Sequence, residues 1–488
     1  MFQTGSGLTR LAIAGVLLFS PHAACAAAPE TGDKPAAAVS DRILAALTEA
    51  SGVPGMGASV WRDGEIVWTG SAGYGDVESG RRVDANTVFR LASVSKAVAA
   101  TAAAKLVEDG ALDVESPVRS ILPWLPDRWP VITTRQLAAH TSGLPHYQDV
   151  DDDLGGHAFT SPREAVGLFQ DRDLLTAPGA AYEYSTWGFT LLSAVVEERA
   201  GRPYLDYLAT TITPGLKIGA DATDTDNTDA STAYEFGEDG SVRRAPPADF
   251  SYSWGGAGMG ATATDLARWG GRLVSGEVVS PATFDWMTRP ARLADGSEVR
   301  EGAYAVGFGW RVAGDQDGRR IVNHAGVTTG ARSVLLLWPD DRLAVSVLSN
   351  ALWVSAIEQT AQMIAAPFHP LEFGAAAAPC PVEATTWDGE YDGKPLAGTA
   401  RFAVEDGVCI GEIGVANAFG AWMNGFPQKD AATVKIIGVD AGGGLARAAL
   451  VTPVGVYDLR ARADGGHAAA LGGTRTVSMA FRGRQGGG

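Results

Sequence analysis

Residues 89–105 read FRLASVSKAVAATAAAK. Ser93 and Lys96 stand three positions apart on an otherwise small, apolar stretch. On a helix that spacing puts both side chains on one face, one turn from each other. A serine at the helix start has its hydroxyl near the amide-rich positive end, where negative charge is favoured. A lysine buried one turn further on loses the hydration of its ammonium, so its pKa falls toward that of a proton acceptor. The pair is therefore a nucleophile with a built-in base. Taken alone, SxxK is also what a polar pair at an ordinary helix start looks like, and four further stretches decide between the readings.

These are ITTRQLAAHTSGLPHY (132–147), PGAAYEYSTWGFTLLSAVVEERAG (178–201), SWGGAGMGATATDLARW (253–269) and VNHAGVTTGARSVLLLWP (322–339). In this order, and with SVSK ahead of them, they resemble the serine β-lactamase and penicillin-binding family. The likeness is to its class C β-lactamases and related D,D-peptidases and esterases. The HTSG turn, its trailing His146-Tyr147 and the YST tripeptide look most like the mitochondrial serine β-lactamase-like members. The resemblance covers residues 40–370 or so, and the remainder of the chain lies outside it.

The resemblance implies that Ser93 is the acylated nucleophile and Lys96 its base or relay. It makes Tyr184, which opens YST, an aid to proton transfer, expected here as a phenolate held by Lys96. His324-Ala325-Gly326 sits where the family places Lys-Thr-Gly on the strand beside the site. Gly326 would admit substrate to that strand, and the amides of Ser93 and Val327 would form the oxyanion hole. Gly256, in the glycine-rich turn, would line the edge. Two positions depart from the pattern. Thr186 replaces the asparagine of Tyr-x-Asn, removing an amide that holds substrate. His324 replaces lysine, turning a fixed charge for a substrate carboxylate into a titratable one. Both departures leave the acyl-transfer chemistry and weaken the case for a β-lactam.

The rest of the chain sets the context. At 488 residues and a formal charge of −17, it has a globular composition and no basic stripe for a nucleic-acid backbone. Arg10 followed by LAIAGVLLF (11–19) and Ala24-Cys25-Ala26 reads as a signal peptide over 1–26, hence a periplasmic protein beginning near Ala27. Cys25 offers a competing lipidation site, disfavoured because His22 sits where an aliphatic residue is wanted. Cys380 and Cys409 would remain, either paired in an oxidising compartment or as two small buried hydrophobes.

The expected fold class is α+β, an antiparallel sheet with helices and an all-helical subdomain, followed by a small C-terminal β-barrel. A helix is expected over 39–52, capped by Ser40 and stopped by Gly52. A hairpin is expected over 57–70 about Asp63-Gly64. Strands are expected at 307–313, 331–339 and 342–350, and a helix at 355–368. Residues 39–370 form the hydrolase domain, 371–383 a linker, and 384–484 a β-barrel-like domain with turn residues every several positions.

Other features carry less. His140 and His146 flank the HTSG turn and read as structural donors. No HExxH or Cys/His cluster implies a metal, and DATDTDNTDA (221–230) lacks the glycine and terminal glutamate of a calcium loop. Gly256–Ala261 formally satisfies GxGxxA, but DFSYSW before it is no apolar strand, so no dinucleotide cofactor follows. GxSxG is absent from the chain. The expected function is an exported serine hydrolase acting on an ester or amide carbonyl, as esterase, D,D-peptidase or β-lactamase-like enzyme. Its partner would be a small-molecule or peptidoglycan-derived substrate, without cofactor, metal or nucleic acid, and oligomerisation is left open. The alternative is a weakly active or non-catalytic binding or assembly protein of the cell envelope.

Overall fold

The computed structural model describes residues 34–151, 154–220, 229–237, 239–369, 378–414, 433–439, 442–471 and 475–483. The signal-peptide reading, most of the 221–230 acidic run and residues 484–488 lie outside them.

Nine antiparallel strands form the central sheet: β1 (Gly55–Arg62), β2 (Glu65–Asp76), β3 (Arg81–Arg82), β4 (Arg300–Glu301), β5 (Tyr304–Val306), β6 (Arg311–Gly314), β7 (Arg320–Thr328), β8 (Ala331–Trp338) and β9 (Leu343–Ser349). Their spatial order is β3-β2-β1-β9-β8-β7-β6-β5-β4. The early hairpin thus joins the late meander through β1 and β9, paired from Met56↔Ser349 to Arg62↔Leu343. Asp63 and Gly64 turn the first hairpin with φ of 49° and 109°, as a type I′ turn requires.

The middle strands β1, β8 and β9 are buried almost without a break because both faces are covered. Leu335, Leu337, Ala344 and Leu348 face a core shared with α2 (Ser95–Glu108), α3 (Thr186–Ala200) and α4 (Ala263–Val274). Val334, Leu336, Val345 and Val347 face a second core with α1 (Lys34–Ser51) and α5 (Ile357–Ala365). The helix α1 starts before the expected cap: Ser40 lies inside it, buried, and donates its hydroxyl to the Ile364 carbonyl at 2.8 Å. Gly52, at φ 63°, ends it as expected. The strand expected at 307–313 begins only at Arg311, because Gly307–Trp310 is a turn closed by a 2.8 Å bond from the Gly307 amide to the Trp310 carbonyl.

Eight strands, from β10 (Ala384–Tyr391) to β17 (Thr476–Gly483), close into the expected barrel. Trp387, Phe402, Ile436, Leu450 and Leu459 fill it. Cys380 and Cys409 form a disulfide, tying the segment before the barrel to its third strand. The barrel's Val408, Ile437, Val451 and Val456 belong to the same core as α1 and α5, so apolar contact joins it to the sheet layer.

Two adjacent glycines let α4 lie close on the sheet, at the usual cost of about 1 kcal/mol each for glycine inside a helix. A Cβ on Gly270 would meet Leu337 at 2.7 Å, and one on Gly271 would meet the Trp61 ring at 2.1 Å. Gly271→Ala should therefore destabilise the protein by about 2 kcal/mol, read as a lower midpoint of urea unfolding. An unchanged midpoint would show that the helix–sheet spacing is slack.

Candidate active site

Ser93 sits on a sharp turn between a short strand, Phe89–Arg90, and α2. The strand pairs with Gly260 and Ala261, and the Leu91 amide donates to the Met259 carbonyl at 2.8 Å. Ala92 then takes φ +45°, a left-handed conformation that costs a non-glycine residue about 1–2 kcal/mol. The expected helix start is a 3-10 turn over Ala92–Val94, with α2 beginning at Ser95. The turn is also tied to the sheet, since Ser333 donates its hydroxyl to the Leu91 carbonyl at 2.6 Å. From Ser95 to Ala104 every residue of α2 is buried, and most are alanine, so neighbours close in on all sides.

Lys96 is wholly enclosed by that packing. Its Nζ lies 3.1 Å from Ser93 Oγ, 3.0 Å from Thr186 Oγ1 and 2.7 Å from the Gly256 carbonyl. Burial drives its pKa well below 10.5, and the Arg311 guanidinium lowers it further against a smaller opposing effect of Glu301. The downward shift favours the neutral amine, which can make all three contacts. Its two N–H bonds go to Thr186 and Gly256, and its lone pair accepts the Ser93 hydroxyl.

Tyr184 arrives from the segment just before α3, where Ser185 caps the helix by accepting the Gly188 amide at 2.9 Å. The Tyr184 hydroxyl donates to Ser93 Oγ at 2.7 Å. The expectation of a phenolate held by Lys96 is corrected here. Lys96 Nζ lies over the Tyr184 ring, 4.8 Å from its centroid, and makes its hydrogen bonds to Ser93, Thr186 and Gly256 instead. Desolvation pushes the phenol up to about 12, outweighing the Ser93 hydrogen bond. Tyr184 is thus a proton donor at neutral pH.

His140 has a structural contact, but as an acceptor rather than the expected donor: it takes the Ser185 amide on Nδ1 at 3.0 Å and stacks on Tyr184 at 4.4 Å. His146 is exposed at the cleft, edge-on to Tyr184 at 5.3 Å, with burial of part of its ring lowering its pKa to about 4. The strand β7 forms the opposite wall. Its pairing with β6 stops at Asn323↔Arg311, which leaves the edge from His324 to Thr328 unpaired on that side. Gly326 allows the strand to reach the nucleophile: a Cβ there would stand 2.8 Å from the Ser93 nitrogen and 2.4 Å from the Leu91 carbonyl. Val327, half exposed, borders the cleft with Ser93, Tyr184 and Thr186.

His324 differs from expectation. Its ring is buried, its Nδ1 sits 2.9 Å from the Ala325 carbonyl, and burial followed by Arg311 and Lys96 lowers its pKa well below 6.5. It is neutral at physiological pH and offers no charge to a substrate carboxylate. Charge enters the cleft, of about 530 Å³, from residues that no motif marked: Glu301, Arg311, Arg332 and Glu358. Arg311 and Glu301 form a two-pronged ion pair at 2.5 and 2.6 Å. The only trace of these residues in the sequence is a charged side chain entering an apolar run, as in ARSVLLLW.

A family model described as Beta-lactamase matches residues 40–363. The chain belongs to the beta-lactamase family. It is 27% identical over 396 residues to the serine beta-lactamase-like protein LACTB, mitochondrial, of Mus musculus, a match covering 61% of this chain and 72% of that protein. It is 28% identical over 339 residues to esterase EstB of Burkholderia gladioli, covering 61% and 86%. The octameric penicillin-binding protein homologue from Pyrococcus abyssi shares its fold with a TM-score of 0.54 at 18% identity, covering 88% of this chain and 97% of that one. As a member of the beta-lactamase family the chain is a serine hydrolase.

Two outcomes check these protonation states. Between the lowered pKa of Lys96 and 10.5, the unfolded chain binds one more proton at this site than the folded chain, so stability rises with pH through that window. Lys96→Met should remove that part of the slope in urea titrations at pH values within the window. And because His324 is already neutral, KM for a carboxylate-bearing ester should not step upward as pH crosses 6.5.

Proposed function

We propose that this chain is an exported serine hydrolase that cleaves ester or amide carbonyls through an acyl-enzyme on Ser93. The observation that carries the reading is one hydroxyl held between two groups of opposite task. Ser93 Oγ lies 3.1 Å from a neutral amine and 2.7 Å from a protonated phenol, at an open cleft.

In this reading Ser93 Oγ attacks the carbonyl carbon while its proton passes to the Lys96 lone pair. Charge developing on the carbonyl oxygen is met by the amides of Ser93 and Val327. Tyr184 donates to Oγ in the resting site and supplies a proton to the departing alkoxide or amine, which needs a phenol rather than a phenolate. Water then attacks the acyl carbon and gives a proton to the Tyr184 phenolate, while Oγ leaves with the proton that Lys96 had taken up. Thr186 and the Gly256 carbonyl hold the amine's two hydrogens, so its lone pair faces Ser93.

Export is supported by the Arg10-to-Ala26 pattern and by the Cys380–Cys409 disulfide, which suits an oxidising compartment. Thr186 in place of an amide side chain and the uncharged His324 favour a simple ester or a peptide of altered selectivity over a β-lactam. The envelope-assembly alternative is less well supported, because scaffolding alone gives no reason to enclose an amine beside a serine.

Hydrolysis of a short p-nitrophenyl ester, a chromogenic cephalosporin and a D-Ala-D-Ala peptide tests the reading. Ser93→Ala should lose at least about 10³-fold in kcat/KM on whichever is turned over, and Tyr184→Phe roughly 10²–10⁴-fold. The native profile should rise once with pH, as Lys96 loses its proton, and show no fall from Tyr184 until near pH 12. Equal rates for native protein and Ser93→Ala on all three substrates would overturn the proposal.

A further inference from the structure

The barrel touches the cleft through one helix end. Strands β14 (Arg447–Thr452) and β15 (Gly455–Ala461) form a hairpin whose tip lies against the start of α5. No side chain caps that helix at Ala356; the Val454 carbonyl accepts the Ala356 amide at 2.9 Å instead. One turn on, Thr360 Oγ1 donates to the Ala356 carbonyl at 2.7 Å and accepts the Val456 amide at 3.0 Å. The fit is close. Gly455 has φ +145°, and a Cβ there would meet Ala356 Cβ at 2.6 Å.

What this helix end carries matters for the site. The Ser355 carbonyl, just before it, accepts a guanidinium N–H of Arg332 at 2.8 Å, and Glu358, in its first turn, lines the cleft. Arg332 stands opposite Val327 across β7 and β8 and lines the cleft too. Its Nε is buried without a partner, and among the described residues no carboxylate lies within ion-pair distance of it. Arg311 differs, since Glu301 already occupies it.

We propose that the β14–β15 hairpin is a positioning element of the active site, and that Arg332, held by it through Ser355, reads an anionic group on the acyl donor. The inference rests on the Ser93 cleft being the active site. Charge selectivity of the hydrolase is set by Arg332, and Gly455 and Thr360 act through α5 without touching substrate. The barrel thereby supports the substrate's binding surface without forming part of it.

The test compares p-nitrophenyl acetate with mono-p-nitrophenyl glutarate, which differ chiefly by a carboxylate, in the full-length protein. Labelling of Ser93 by a small fluorophosphonate and near-UV circular dichroism run alongside. Arg332→Gln should raise KM for the glutarate ester roughly tenfold, the loss of one charge-assisted hydrogen bond, and leave KM for the acetate ester in place. Gly455→Val and Thr360→Val should shift the glutarate KM in the same direction with labelling rates unchanged, and Thr360→Ser should restore it. If Gly455→Val fails to fold, the Thr360 pair decides. Parallel shifts for both esters, or none in natively packed variants, would overturn the proposal. If the native protein is not labelled at Ser93, the catalytic reading fails separately. Calorimetric binding of glutarate, weakened or not by Arg332→Gln and Thr360→Val, then supports or overturns the rim assignment.

Discussion

A lysine amine enclosed with no carboxylate at hydrogen-bond distance is the constraint around which the site is arranged. Desolvation alone would eject a charge from such a place, and the molecule meets the cost by holding the amine neutral. Neutrality then dictates the partners. Two acceptors take its hydrogens, Thr186 Oγ1 and the Gly256 carbonyl, and one donor is left for the lone pair, Ser93. Replacing an amide side chain by Thr186 is consistent with this count, because the hydroxyl accepts without bringing an N–H that would compete with the amine. The alanine surface of α2 serves the same end, since larger residues would hold neighbours off and let water reach Nζ.

Holding the nucleophile against this amine requires close approach from both sides. The Leu91 backbone binds Met259 through its amide and Ser333 through its carbonyl, so the turn is fixed between a short strand and the main sheet. The left-handed Ala92 is the local cost of that geometry, and Gly326 is its counterpart on β7, where any side chain would strike the Ser93 amide. Strain next to a reacting group persists only where surrounding bonds over-determine it. Two hydrogen-bonded segments, at Met259 and Ser333, do so here.

Much of this was legible because it is local. A three-residue spacing, an Asp-Gly hairpin and the Gly52 helix stop depend on near neighbours, and all three stand as read. The barrel, too, was visible in alternating runs and regular turns. What was illegible depends on burial and on residues far apart in the chain. Tyr184 could be located but not its proton, because desolvation outweighs the partner that was expected to ionise it. His324 could be aligned with a lysine position, yet burial, reinforced by the Arg311 charge, turns a titratable side chain into a neutral one. Ser40 looked like a cap because hydroxyls favour helix starts, whereas its partner, the Ile364 carbonyl, is 324 residues away. Arg311 and Glu301 belong to no motif; only sheet pairing brings them together.

These differences have one physical origin. The reacting centre disfavours charge: burial biases its lysine, the buried His140 and His324, and its tyrosine toward their uncharged forms. Ionic groups gather instead on the rim, on β4, β6, β8 and α5, where they line the open cleft. A neutral floor suits proton transfer between Ser93, Lys96 and Tyr184, because no fixed charge there biases the proton toward one partner. A charged rim suits selection, since ions at the edge meet the substrate's periphery, and Arg311 also helps to lower the Lys96 pKa from there. Chemistry and selectivity are thereby assigned to different layers of the fold, and the rim is the layer that the β14–β15 hairpin supports.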